Sequence, residues 1–284
     1  MNRSPLKFFL LVFALSIPIW LIGAMAERGL PLPMKLPVSA LQAFCPITAA
    51  LILVYREDSL RGVRRLLKRV FDYRRIKPRI WYVPIVFLMP ILMLLIYGVM
   101  RLMGLPLPAE VHIPFLTIPI LFVLFFLLAV GEETGWMGYA VDPMQDRWSA
   151  LTASLVLGSI WSLWEFPSQI QMGTTPTLLA WAFLGSVGMR ILLVWLYNNT
   201  EKSILAAILF HAIANTSRAS FPNGGSHWDP AVGYSIVAIT AMIVTFLWGS
   251  KTLARYRYAV RLPLMARDNR EGEVETELSP THRR

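Results

Sequence analysis

This chain lacks charge where a soluble protein carries it. Only 15% of its 284 residues are charged and 56% are hydrophobic, against about 25% and about 45–50% in soluble domains, and the mean hydropathy is +0.54. That composition excludes a soluble globular fold and leaves an integral membrane protein. Cysteine is nearly absent too: Cys45 stands alone inside an apolar segment, which excludes an intrachain disulfide framework and makes it a small core residue. Acidic residues are scarce, 17 against 27 Lys and Arg, for a net charge of +10. Because the cations concentrate between apolar segments and in the tail, the excess reads as positive-inside topology with contact to anionic lipid, and not as a nucleic-acid surface. There is no internal repeat and no second soluble domain.

Long apolar runs are what the chain has instead. They cover residues 6–26, 38–55, 80–103, 113–137, 150–164, 178–197, 203–218 and 231–248, about eight segments near membrane length. Only helices and closed barrels satisfy backbone polar groups in lipid, and these runs are too long and continuous for barrel strands. The expectation is an all-α, polytopic membrane bundle over residues 1–250, followed by a basic, polar, disordered tail over 251–284. Ala24-Met25-Ala26 resembles a signal-peptidase site, so cleavage after Ala26 stays open.

Between Arg56 and Arg79 lie Arg61, Arg64, Arg65, Lys68, Arg69, Arg74, Arg75 and Lys77 against only Glu57, Asp58 and Asp72. That loop stays in the cytosol, and an even number of spans then puts both termini there. Leu60, Val63, Leu66, Leu67, Val70 and Phe71 recur among the cations at helical spacing, which describes an amphipathic helix on the inner leaflet.

The intramembrane polar residues are few: Glu132 and Glu133, Glu165, Arg190, His211 and Asn215. An acidic side chain at mid-bilayer costs about 2.5–3.5 kcal/mol, so such residues face a protein interior, a partner or water, and mark a functional site. His211 and Asn215 are four apart and share one helix face, among the small residues Ala206, Ala207, Ala212 and Ala214 that permit close approach. Trp136, Trp161 and Trp164 sit beside these groups and are candidates for lining a cavity.

Glu132-Glu133-x-x-x-Met137-Gly138-Tyr139, Trp161-x-x-Trp164-Glu165-Phe166-Pro167 and Phe210-His211-x-x-x-Asn215 resemble, in that order, the three motifs of the CPBP family. These are the CAAX-protease and bacteriocin-processing intramembrane peptidases, also called Abi. The likeness covers residues 115–217, and Asp142-Pro143-Met144-Gln145 and Trp195-Leu196-Tyr197-Asn198-Asn199-Thr200 resemble its bacterial members, which implies a bacterial plasma membrane. The resemblance implies a glutamate-dependent endopeptidase whose site opens towards the cytosol, acting on a hydrophobic or lipidated peptide. It makes Glu132 the base that activates water, Glu133 its supporting carboxylate, His211 a residue that orients water or binds metal, and Asn215 the oxyanion donor.

Two positions depart from the pattern: Met137 stands for the usual arginine and Glu165 for the usual histidine. The site is therefore more anionic, and compensation requires a shared proton, a bound cation or Arg190. Glu132, Glu165 and His211 form a hard donor set that suits Mn²⁺ or Mg²⁺ at least as well as Zn²⁺. Counted along a straight helix, Glu165 falls towards the outer face and Glu132 nearer the inner one. Two other readings keep the residues and change the activity: a pseudo-peptidase that binds lipidated peptides or regulates a membrane partner, and a proton-coupled transporter.

Overall fold

The computed structural model describes residues 3–25, 38–110, 115–220, 225 and 228–254. Every apolar segment forms a helix: α1 (Pro5–Met25), α2 (Cys45–Val70), α3 (Tyr82–Leu102), α4 (Ile118–Gly135), α5 (Val141–Gln145), α6 (Ala150–Gln171), α7 (Pro176–Asn199), α8 (Ile204–Ser220) and α9 (Pro230–Trp248). No strand occurs among the described residues. The Ala26 site, the Pro-rich turn after it and the tail beyond residue 254 lie outside them.

Among the described residues six helical stretches are long and apolar enough to cross a membrane, against the eight expected. The two that fall short are α6 and α8. At 17 residues, α8 rises only about 25 Å, short of a hydrocarbon core of about 30 Å. The 22 residues of α6 are diluted by Thr152, Ser154, Ser159, Ser162, Glu165, Ser168, Gln169 and Gln171. These two helices carry Glu165, Gln169, His211 and Asn215, so part of the polarity that sets them apart from the other spans lines one cavity.

A short 3-10 helix (Val38–Phe44) leads into α2, which continues across a kink into the basic segment. Ser59, at φ 55°, bends it there, a conformation uncommon outside glycine. Past the bend Leu66 and Val70 are buried while Leu60, Leu67 and Phe71 are exposed beside the cations, so the expected amphipathic helix is the distal half of α2. Beyond Trp164, α6 continues through Pro167 to Gln171.

Connections at the basic end of the bundle are bonded to one another. Arg75 Nη1 donates to the Glu201 carbonyl at 3.1 Å, Arg69 Nη2 to Tyr197 Oη at 2.8 Å, and Lys202 pairs with Asp142 at 2.9 Å. The two segments that resemble bacterial family members meet here, where Gln145 and Asn198 exchange side-chain hydrogen bonds at 2.7 and 3.2 Å. Trp136, Met137, Tyr139 and Ala140 are buried and form a π-helical turn (Trp136–Ala140) that closes this end. Cys45 is buried in the core and free.

Candidate active site

Successive helical residues point about 100° apart, so the adjacent glutamates of α4 reach different neighbours. Gly131 and Gly135 flank them, and a Cβ at either would fall about 2.5 Å from the backbone of Ala43 or Pro46. Glycine at both places lets α2 and the preceding turn press against α4.

Glu133 is fully buried and both its oxygens are engaged. Oε2 accepts from Arg190 Nη1 at 2.7 Å, and Oε1 lies 2.9 Å from His211 Nδ1. A carboxylate at Nδ1 selects the tautomer that donates there and leaves Nε2 as an acceptor. Glu132 instead accepts from Trp161 Nε1 at 2.8 Å through Oε2. Trp161 also stands edge-on to His211, with ring centroids 5.5 Å apart, and its face carries the Arg190 guanidinium at 4.4 Å. One indole thus touches Glu132, His211 and Arg190. Nε and Nη2 of Arg190 are buried without hydrogen-bond partners among the described residues; the Trp161 face and the Glu133 charge are what hold the cation.

Glu132, Trp161, Glu165, His211 and Asn215 line one cavity of about 200 Å³. Glu165 therefore reaches the site despite its position along α6, and Oε1 accepts from Gln42 Nε2 at 3.3 Å. Trp20 Nε1 bonds to Gln42 Oε1. An indole only donates, so the Gln42 oxygen must face Trp20 and its NH₂ must face Glu165. Of the three tryptophans only Trp161 reaches the cavity. Trp136 and Trp164 are fully buried at 5.5 Å from each other, and Trp164 donates to Ser16 Oγ at 2.7 Å. Met137 is fully buried in the core and does not line the cavity. The site's cation comes from α7, as Arg190.

Several lining residues carried no motif: Gln169, Arg218, Trp228 and Tyr234. Arg218 alone left a signal, seven residues beyond His211 and so on the same face of α8. It is exposed, and the cavity walls come from the halves of α6, α8 and α9 furthest from the basic connections. Among the described residues the cavity lining becomes exposed only at that end, its mouth.

The one group of three His, Cys, Asp or Glu ligand atoms found within 4.8 Å of one another among the described residues is Glu132, Glu133 and His211. Glu165 is not in it, so the expected set Glu132, Glu165, His211 is not assembled around one point. Glu133 is already spent on Arg190 and His211, and a fixed guanidinium stands in the cluster. A divalent cation would have to break a fully buried ion pair to gain its third ligand. These residues do not fit a resident metal.

The family model for type II CAAX prenyl endopeptidases, Rce1-like, matches residues 114–217. CAAX prenyl protease 2 from Methanococcus maripaludis is 30% identical over 238 residues, covering 76% of this chain and 84% of the relative. The chain belongs to the Rce1-like CAAX prenyl endopeptidase family. As a member it is an integral, multi-pass membrane peptidase. The family match spans all three motifs, from the start of α4 to the cavity-lining face of α8.

Proposed function

We propose that this peptidase hydrolyses a peptide bond of a hydrophobic or lipidated substrate with water activated by Glu132, and without a resident metal. The observation that carries this is the division of labour between adjacent carboxylates: Glu133 is locked by Arg190 and His211, while Glu132 lines the cavity with one oxygen fixed by Trp161. Water between Glu132 and His211 Nε2 gives a proton to the carboxylate and attacks the carbonyl carbon. Asn215, one turn from His211, donates its amide N–H to the developing oxyanion. As the C–N bond breaks the leaving amine needs a proton, and Glu165, held by Gln42, is placed to give it.

A second, apolar cavity of about 420 Å³ supports a lipidated substrate. Val86, Pro90, Leu94, Ile118, Phe122 and Ile213 line it, and Met93 is common to both cavities. An acyl or isoprenoid chain there would lie beside the reacting bond. By the positive-inside rule the basic end faces the cytosol. The mouth then faces away from it, opposite to what the resemblance implies, and the substrate is presented from the outer side.

The test is cleavage of a prenylated CAAX-type peptide by the purified, reconstituted protein, with products mapped by mass spectrometry. Wild type is expected to yield one cut, unaffected by EDTA or 1,10-phenanthroline, and His211→Ala to yield at most about a hundredth of the rate. Loss of wild-type activity to chelator, restored by metal, would replace the metal-free mechanism.

A further inference from the structure

We propose that Arg218 binds the free C-terminal carboxylate of the peptide that the site cleaves; this rests on the hydrolytic reading above. His211, Ala214, Asn215 and Arg218 follow one another along the cavity face of α8. The guanidinium of Arg218 donates from Nη1 to Tyr234 Oη at 3.1 Å and lies 5.7 Å from the Trp228 ring centroid. No carboxylate pairs with it among the described residues. The indole Nε1 of Trp228, in the same cavity wall, is buried without an acceptor among them. The mouth therefore offers a braced, forked cation and a spare N–H donor, the chemistry that recognises a carboxylate.

Charge and length agree with that assignment. Glu132, ionised as the base, puts negative charge on the floor of the cavity, so a peptide with a charged C-terminus is repelled from the floor and held at the mouth. Seven residues of α-helix rise about 10.5 Å from His211 to Arg218. An extended peptide covers about 3.3 Å per residue, so a carboxylate on Arg218 places the bond about three residues back at Glu132 and His211. Arg218 then fixes where the chain is cut.

A lipid phosphate could engage the same guanidinium, so the experiment is run in phospholipid-free detergent. Cleavage of a prenylated CAAX-type peptide is compared between its free acid and its C-terminal amide, for wild type, Arg218→Gln and Arg218→Lys. Amidation is expected to raise KM for wild type about 10- to 100-fold with little change in kcat, Arg218→Gln to show that raised KM already on the acid and no further rise on the amide, and Arg218→Lys to recover part of the preference. Binding of both peptides to the non-cleaving Glu132→Gln protein, by calorimetry, gives the same comparison without turnover. It separates a failed anchor from a failed mechanism. Equal handling of acid and amide by wild type, or an unchanged preference in Arg218→Gln, would overturn the assignment and leave Arg218 to lipid phosphate or solvent.

Discussion

At the scale of single residues, the buried charges are the decisive feature. Arg190 and Glu133 are both fully buried and 2.7 Å apart, and breaking such a pair by removing one partner typically costs about 3–5 kcal/mol. Arg190→Met should therefore lower the thermal midpoint in detergent strongly, and Arg190→Met with Glu133→Gln should recover part of the loss. A double variant no more stable than the single one would mean that the pair's electrostatics are not what the core depends on. Glu165→Gln keeps a hydrogen-bonding group beside Gln42 but has no proton to give, so kcat should fall about 10²-fold or more while folding is preserved. An unchanged kcat would demote Glu165 to a cavity-wall residue.

Among elements, the helices that looked weakest in the sequence do the most. The short α8 and the polar α6 carry His211, Asn215, Trp161 and Glu165, and their glycine and alanine faces let neighbours close around them. At Gly158 a Cβ would meet Val187 Cα at 2.9 Å and Arg190 Cβ at 3.0 Å, so α6 and α7 lie in close contact there. Gly158→Leu should separate them, displace Arg190 from Glu133 and cut activity. The helices, the few intramembrane polar residues and the shared face of His211 and Asn215 were legible because lipid punishes unpaired polar groups and periodicity shows which residues share a face; the three motifs that group them with Glu132 and Glu133 came from the family resemblance. What was not legible is tertiary. Straight-helix counting set Glu165 apart from Glu132, yet both line one cavity, and nothing in sequence announced Gln42, which bonds across from the turn before α2. Arg190 was visible as one candidate counter-charge for the site, but its pairing with Glu133 requires knowing how α7 faces α4.

Across the whole molecule, charge is segregated by end. The basic half of α2 and the connections bonded to it occupy one end, and the cavity mouth with Arg218 lies at the other. Single cysteines introduced at exposed Arg64 and at exposed Arg218 should report this in intact cells. A membrane-impermeant maleimide is expected to label the Arg218→Cys protein and spare Arg64→Cys. The reverse pattern would place the mouth in the cytosol.

The whole mechanism depends on a carboxylate at position 132 taking a proton from water. Single-turnover cleavage of the prenylated peptide by reconstituted wild type and Glu132→Gln measures that directly, because the amide can still accept from Trp161 but cannot act as a base. The expected result is a fall of at least about 10³-fold in the cleavage rate with peptide binding intact. Cleavage by Glu132→Gln at a rate near that of wild type would contradict it.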